Sequence, residues 1–263
     1  MKKVLLFLLL AFPLATFAQD EYSISLLDKF IGEAEWDEAG NYMSSAGDVN
    51  GDGYDDVLMS TYYDYGESDS AGAVYLIYGD SDGDLNDDGQ PDISNDINLS
   101  EADAKFKGES DYNSAALVSS AGDVNNDGYD DILIGAIQYD GQRGAAYLIY
   151  GDSDGDLNDD GQPDISNDIN LSEADAKFIA EAAGDMAGRI SYTGDVNGDG
   201  YDDIIIGAHA NDTGGIWSGA AYLIYGDSDG DLNDDGQPDI TDDIDLSEAD
   251  AKFVGEEASD YAC

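Results

Sequence analysis

The sequence predicts an all-β protein whose strands form the blades of a β-propeller. Three observations support this prediction: a long block repeats three times, short β-branched runs recur within each repeat, and an acidic loop precedes one of those runs every time. A repeat of this size, with the strand content of a single blade, is typical of propellers.

The repeat is the clearest organisational feature of the chain. Residues 75–106 and 147–178 are identical, and residues 222–253 differ from them only at Thr241, Asp242 and Asp245. A second conserved block precedes each copy, at residues 46–56, 121–131 and 193–203. The predicted units are a lead-in at 19–28, repeats at 29–105, 106–177 and 178–252, and the truncated start of a fourth repeat at 253–263.

Each repeat contains a pattern of short strands. The runs at 57–60, 132–135 and 204–207 are apolar and bounded by Asp and Gly, as expected for strands buried on both faces. Further strands are predicted at 73–79, at 102–106 and at 117–120. About four antiparallel strands per repeat are the content of one blade, and the missing 3.6-residue period excludes a helical solenoid. An array of β-sandwiches remains the structural alternative.

The first 18 residues predict a secretory signal peptide. Lys2 and Lys3 precede an apolar run that ends at Phe17, and Ala18 is the expected cleavage site. The run is shorter than the roughly 20 residues that cross a bilayer, and Pro13 interrupts it. The mature protein is therefore expected to be secreted or held at the cell surface, without membrane insertion.

The chain is strongly acidic, with a formal net charge of -51. Such a charge repels nucleic acid and anionic lipid, which excludes both as partners. The acidic residues are 48 Asp and only 12 Glu, and the aspartates are clustered. Short carboxylates at alternate positions suit a hard cation such as Ca²⁺. Since Cys263 is the only cysteine, metal rather than an internal disulfide is expected to stabilise this exported protein.

One acidic loop in each repeat has the spacing of a calcium site. Side-chain oxygens occur at positions 1, 3, 5 and 9, a glycine at position 6 permits a sharp turn, and a tyrosine offers its backbone carbonyl at position 7. EF-hands close the site with a carboxylate at position 12, where this chain has Met59, Ile134 or Ile206. The predicted ligands are Asp48, Asn50, Asp52, Tyr54 and Asp56 in loop 1, Asp123, Asn125, Asp127, Tyr129 and Asp131 in loop 2, and Asp195, Asn197, Asp199, Tyr201 and Asp203 in loop 3.

A second acidic loop in each repeat follows the same spacing. It lies in an insertion between two predicted strands, where a plain acidic turn would also be tolerated. Its predicted calcium ligands are Asp84, Asn86, Asp88 and Asp92, then Asp156, Asn158, Asp160 and Asp164, then Asp231, Asn233, Asp235 and Asp239.

These motifs resemble the FG-GAP repeat of integrin α-chains and of many bacterial surface proteins. The Phe-Gly element occurs as Phe30-Ile31-Gly32, Phe106-Lys107-Gly108 and Phe253-Val254-Gly255, with Phe178-Ile179-Ala180 departing at the glycine. The Gly-Ala element occurs as Gly135-Ala136 and Gly207-Ala208, with Ser60-Thr61 in the first repeat, and the proline of the family pattern is absent. The resemblance implies a propeller with calcium loops on one face and ligand-binding loops on the other. Such propellers usually have seven blades, so three repeats and the start of a fourth are expected to form an incomplete ring.

The resemblance also implies a module for cell adhesion or ligand binding, with an extracellular protein or glycan as its partner. The variable stretches 62–70, 137–143 and 209–218 lie between constant strands, where recognition residues are commonly found. Candidate contacts are Tyr62, Tyr63, Tyr65, Arg143, His209 and Trp217. An enzyme is not expected, because the chain has a single His and a single Cys and its carboxylate clusters all fit calcium loops. A structural stalk or coat, or the non-catalytic part of a larger extracellular hydrolase, remains an alternative.

Overall fold

A computed structural model describes residues 29–61, 72–81, 97–109, 117–153, 157, 168–228, 232 and 243–263. The predicted signal peptide, the second acidic loop of each repeat, and Tyr62, Tyr63 and Tyr65 lie outside the described residues. Within them, the secondary structure is β-strand with a few short helical turns. The all-β prediction is confirmed.

Three antiparallel sheets of four strands form the blades, one sheet for each repeat. The strands of sheet 1 are β2 (Met43–Gly47), β3 (Asp56–Thr61), β4 (Ala73–Ile77) and β6 (Ala104–Lys107). Those of sheet 2 are β7 (Leu117–Gly122), β8 (Asp131–Ala136), β9 (Ala145–Ile149) and β11 (Ala176–Ile179). Those of sheet 3 are β12 (Ala187–Gly194), β13 (Asp203–Ala208), β14 (Ala220–Ile224) and β16 (Ala251–Val254). The predicted strands at 57–60, 132–135, 204–207 and 117–120 are thereby confirmed.

Each sheet therefore includes the strand that opens the next sequence repeat. The strand with Phe106 pairs with β4, the strand with Phe178 pairs with β9, and the strand with Phe253 pairs with β14. Residues 253–254, which the sequence assigned to the start of a fourth repeat, thus form part of the last strand of sheet 3.

A short parallel strand from the following repeat joins two of the sheets. Strand β10 (Asp168–Asn170) pairs with β6 of sheet 1, and β15 (Asp243–Asp245) pairs with β11 of sheet 2. The first repeat contains the same arrangement, because β1 (Phe30–Ile31) pairs in parallel with β5 (Ile97–Asn98). A three-residue 3₁₀ helix follows each of β5, β10 and β15, and the residue before it caps it through its side chain. Neighbouring repeats are therefore joined by backbone hydrogen bonds as well as by apolar packing.

The hydrophobic core lies between the sheets. One cluster joins Leu58, Leu76 and Phe106 of sheet 1 to sheet 2, and a second joins Leu148 and Phe178 of sheet 2 to sheet 3. Strands β4 and β9 are buried along their whole length, so both of their faces are covered. This burial explains why these strands read as continuous apolar runs rather than as alternating ones.

The corresponding face of sheet 3 is open. Phe106 and Phe178 are 0% exposed, whereas the equivalent Phe253 is 56% exposed. Its neighbours Ile205 and Leu223 are half-buried, and among the described residues no strand pairs with the other edge of β16. Sheet 3 is thus covered by the described residues on one face only, whereas sheet 2 has a neighbouring sheet on each face.

An ion pair links the last antiparallel strand of each sheet to the segment that follows the preceding Phe-Gly strand. Nζ of Lys105 lies 2.8 Å from Glu33, Nζ of Lys177 lies 2.8 Å from Glu109, and Nζ of Lys252 lies 2.7 Å from Glu181. Each ammonium also lies within 6 Å of the ring centre of a buried tyrosine on the adjacent strand, namely Tyr75, Tyr147 and Tyr222. Of the three lysines, Lys177 and Lys252 pair across the junctions between neighbouring sheets.

Candidate metal-binding loops

The three nine-residue loops lie at the same end of the three sheets. Each connects the first strand of a sheet to the second, and position 9 is the first residue of that second strand, as Asp56, Asp131 and Asp203 show. The ladder has an irregular register just before each loop, next to Gly47, Gly122 and Gly194. Antiparallel pairing of the first two strands fixes both ends of every loop.

The carboxylates and amides of the loops fold inward onto their own backbone. In loop 1, Oδ2 of Asp48 accepts from the N–H of Gly53 at 2.9 Å, and Oδ1 of Asn50 accepts from the N–H of Asp52 at 3.0 Å. Oδ1 of Asp52 then accepts from the N–H of Tyr54 at 2.9 Å. The same three hydrogen bonds occur in loops 2 and 3, all between 2.9 and 3.0 Å. The shared spacing therefore produces a shared conformation.

The aspartate at position 9 is buried in every loop. Asp56 is 1% exposed, and its two carboxylate oxygens accept from the N–H groups of Val49 and Gly79, both at 2.8 Å. Asp131 and Asp203 make the equivalent pairs of bonds. Burial raises the pKa of Asp56 to about 6 and that of Asp131 to about 8, and it also raises the pKa of Asp203. A nearby cation would favour the ionised form of these carboxyls.

Glycine at position 6 is required by the backbone. Gly53, Gly128 and Gly200 have φ between +94° and +102°, a conformation that other residues adopt at a cost. A Cβ at any of the three would meet nothing within 4 Å, so the cost of replacing them lies in the backbone rather than in crowding.

The ligand atoms that the loops offer are suited to a hard cation such as calcium. All four side chains of each motif offer oxygen, which is the ligand atom that calcium takes. In loop 1, Oδ1 of Asp48 is buried without a hydrogen-bond partner, which is unfavourable for a carboxylate oxygen unless a cation lies against it. Among the described residues, however, no three carboxylate, His or Cys side chains converge closely enough to hold a metal ion. Ion binding therefore requires some loop carboxylates to turn from backbone N–H groups toward a common centre.

The candidate recognition residues have different surroundings. Arg143 donates to the carbonyl of Ala180 and pairs with Asp245 at 2.9 Å, so it connects neighbouring repeats. Burial lowers the pKa of His209. Trp217 is half exposed and stacks on Tyr261 with ring centres 6.1 Å apart.

Position 8 of each loop is also an aspartate, at Asp55, Asp130 and Asp202, and the spacing of the motif assigns it no ligand role. In the structure, Asp130 and Asp202 hydrogen-bond to the loop of the preceding sheet. The signal that could have found them is the recurrence of Asp at position 8 in all three loops.

A family model described as FG-GAP repeat matches residues 44–77, 116–149 and 187–224. Each matched segment contains one acidic loop and runs from the first strand of a sheet to its third. The chain carries three FG-GAP repeats. In this family the repeats form propeller blades, so the three sheets are three blades of an incomplete ring.

The chain is also similar to parts of larger proteins. It is 30% identical to human integrin alpha-6 over 128 residues, which are 48% of this chain and 10% of that protein. It is 30% identical to bovine phosphatidylinositol-glycan-specific phospholipase D over 194 residues, 71% of this chain and 20% of that protein. It is 28% identical to integrin alpha pat-2 of Caenorhabditis elegans over 210 residues, 76% of this chain and 15% of that protein. The chain thus spans a fifth or less of these relatives. In the part of the chain that the structure describes, no helix is long and apolar enough to cross a membrane.

Proposed function

We propose that this chain is a secreted or cell-surface propeller module that binds calcium in loops 1 to 3 and recognises an extracellular protein or glycan. The observation that carries the calcium proposal is the buried, unpartnered Oδ1 of Asp48 within a loop geometry that recurs three times. The FG-GAP repeats and the similarity to integrin α-chains support an extracellular binding role.

The residues that would hold each ion are the side chains at positions 1, 3, 5 and 9 and the carbonyl at position 7. A bound divalent cation would supply positive charge between carboxylates that otherwise repel one another. Position 9 already begins the second strand of each sheet, so a ligand there ties the ion to the sheet itself. The chain's own contribution is the glycine turn at position 6, which bends positions 1 to 5 back toward position 9.

Calcium binding would stabilise the folded chain. An ion that binds only the folded state at 100 times its dissociation constant contributes about 2.7 kcal/mol per site. Three such loops would contribute roughly 8 kcal/mol if their effects were independent, which is comparable to the whole stability of many domains.

Thermal unfolding in calcium and in EDTA tests this proposal. We expect a calcium-dependent rise in Tm of at least about 10 °C for the native sequence, since about 1 kcal/mol shifts Tm by about 2 to 4 °C in a chain of this size. The triple variant Asp48→Asn, Asp123→Asn and Asp195→Asn keeps an oxygen that can accept from position 6 but loses three charges, so its Tm should respond far less to calcium. Asp140→Asn, an exposed change in another loop, is the matched control. Equal Tm values in calcium and EDTA for the native chain would refute calcium binding.

Recognition is proposed to use the end of sheet 3 opposite its acidic loop. The stretch 209–218 joins β13 to β14, whereas loop 3 joins β12 to β13, so the two lie at opposite ends of antiparallel strands. Ile216 and Trp217 in this stretch are 68% and 51% exposed, and Tyr261 beside them is 47% exposed. Exposed aromatic clusters are typical of binding surfaces because they offer a large contact area at a small entropic cost.

Arrays of glycans and matrix proteins, probed in calcium and then in EDTA, test recognition. We expect binding that is lost when Trp217→Ala and Tyr261→Ala are combined and kept when Trp36 of the first repeat, which is 76% exposed, is changed to Ala. Uniformly negative arrays would favour a structural stalk or coat. Hydrolysis of a substrate by the purified chain would overturn the proposal that this module binds rather than catalyses.

A further inference from the structure

Loops 1 and 2 are each held by the loop of the following sheet. Oδ2 of Asp130, at position 8 of loop 2, accepts from the N–H of Asp48 at 2.8 Å, and the N–H of Asp130 donates to the carbonyl of Asp48 at 3.1 Å. Asp202, at position 8 of loop 3, makes the same two bonds to Asp123, at 3.1 and 3.2 Å. Position 8 of one loop thus fixes position 1 of the loop before it, across 82 and 79 residues of sequence.

The glycine before each held loop makes this contact possible. A Cβ on Gly47 would lie 2.2 Å from Oδ2 of Asp130, and a Cβ on Gly122 would lie 2.2 Å from Oδ2 of Asp202. At Gly194, before loop 3, the nearest atom would be 3.5 Å away and belongs to Tyr192. The close approach therefore occurs at both junctions between described sheets and is missing where the structure describes no following sheet.

The burial of position 2 also differs between loops 1 and 2, which have a following sheet, and loop 3, which has none among the described residues. Val49 and Val124, at position 2 of loops 1 and 2, are 0% and 1% exposed, whereas Val196 in loop 3 is 53% exposed. Tyr129 of loop 2 lies over Gly51 of loop 1, where a Cβ would come within 2.4 Å of its ring. Position 2 of loops 1 and 2 is thus covered by the following sheet, whereas position 2 of loop 3 is open to solvent.

We propose that Asp130 and Asp202 are positioning residues for calcium, each acting on the loop of the preceding sheet rather than on its own. This inference rests on the proposed calcium binding in loops 1 to 3. The carboxylate of Asp130 fixes the backbone of Asp48, the residue that carries the unpartnered oxygen, and so fixes the main chain from which the position-1 side chain turns toward an ion. Because a fixed ligand loses less freedom on binding, loops 1 and 2 bind calcium more tightly than loop 3.

The same contact couples calcium to the junction between sheets. If docking of sheet 2 strengthens calcium binding in loop 1, then calcium in loop 1 strengthens the docking of sheet 2 by the same factor. Calcium in this chain therefore stabilises the packing of neighbouring sheets against one another as well as each sheet by itself.

Site-resolved calcium titration by NMR tests the proposal. The amide resonances of Gly53, Gly128 and Gly200 report one loop each, because each N–H donates to the position-1 carboxylate of its own loop. We expect Asp130→Ala to weaken binding at loop 1 by about tenfold, the value of one hydrogen bond to a charged group. Asp202→Ala should weaken loop 2 in the same way and leave loop 1 unchanged.

Two further variants separate positioning from other effects. Asp55→Ala removes the position-8 carboxylate of loop 1, for which the structure describes no preceding loop, and all three affinities should stay within twofold of the native values. Asp130→Asn keeps an oxygen that can accept from the N–H of Asp48, and it should restore most of the affinity of loop 1.

The possible results are distinct. Native calcium binding with an unchanged loop 1 in Asp130→Ala would overturn the positioning role alone, as would an equal loss at all three loops or an Asp130→Asn variant as weak as Asp130→Ala. Absence of any calcium-dependent shift in the native chain would overturn the proposed function, and the positioning role with it.

Discussion

Replacing Phe178 or Phe253 by Ala tests whether the third sheet is open on one side. The two residues occupy equivalent positions in identical Ala-Lys-Phe segments, on β11 and β16. Phe178 is 0% exposed in the cluster between sheets 2 and 3, whereas Phe253 is 56% exposed on the open face. The same chemical change is thus made in two environments that differ in burial.

The expected losses differ by several kcal/mol. A fully enclosed Phe→Ala change costs about 3 to 5 kcal/mol, because apolar contact is lost and a cavity remains. At Phe253 solvent already reaches more than half of the side chain and can fill the space left behind. There we expect a loss of about 1 kcal/mol, from the smaller buried apolar area alone.

Urea unfolding in saturating calcium, followed by far-UV circular dichroism, measures both losses. Constant m-values would show that both variants unfold as the native chain does. Phe106→Ala is a further control, since Phe106 is 0% exposed between sheets 1 and 2 and should behave like Phe178. Equal losses at Phe178 and Phe253, or a larger loss at Phe253, would refute the assignment of an open face.

Three further predictions concern other parts of the structure. Lys177→Met removes the ammonium from a largely buried ion pair and leaves the carboxylate of Glu109 without its partner, so we expect urea unfolding to show a loss of stability of about 2 to 4 kcal/mol. Arg189→Met, on the exposed side of β12, is the control and should lower the stability by less than about 0.5 kcal/mol. Gly47→Ala places a Cβ 2.2 Å from a neighbouring carboxylate and should lower Tm more than Gly53→Ala, which meets only the backbone cost; the reverse order in calorimetry would count against the contact between loops. Asn211 matches a glycosylation sequon but is 2% exposed, with its amide donating to Asp185 and to a tyrosine hydroxyl, so peptide mapping of folded protein secreted from a glycosylating host should find no glycan there.

Local sequence patterns predicted most of the strands. Strand β8, for example, contains the predicted run 132–135 with one further residue at each end. A short apolar run between Asp and Gly is typical of a buried strand, which is why the sequence predicts it well. The parallel strands β5, β10 and β15 were not predicted. They contain two or three residues within an acidic insertion, and their partners lie in a different repeat, so no local periodicity marks them.

The Phe-Gly strand shows a second feature that the sequence repeat does not predict, namely the sheet to which the strand belongs. The sequence period begins at this element, but strand pairing places Phe106 with β4 of the preceding segment. A repeat in the sequence shows how far apart the structural units lie but not at which residue each sheet begins. The reason is that the sequence matches itself equally well whichever residue is chosen as the start of the repeat.

The candidate site shows the same division between local and long-range information. The hydrogen bonds within each loop join residues two to seven positions apart, so they depend on the local spacing of Asp and Asn in the sequence. The bonds from Asp130 and Asp202 join residues about 80 positions apart, so only the packing of neighbouring sheets reveals them.

A crystal structure of the native chain, from crystals grown in millimolar calcium, would show directly whether loops 1 to 3 bind the ion. We expect one ion in each of loops 1, 2 and 3, with side-chain oxygens of positions 1, 3, 5 and 9 and the carbonyl of position 7 at about 2.3 to 2.6 Å from it. Loops that keep their backbone hydrogen bonds and hold only water at that calcium concentration would contradict this expectation.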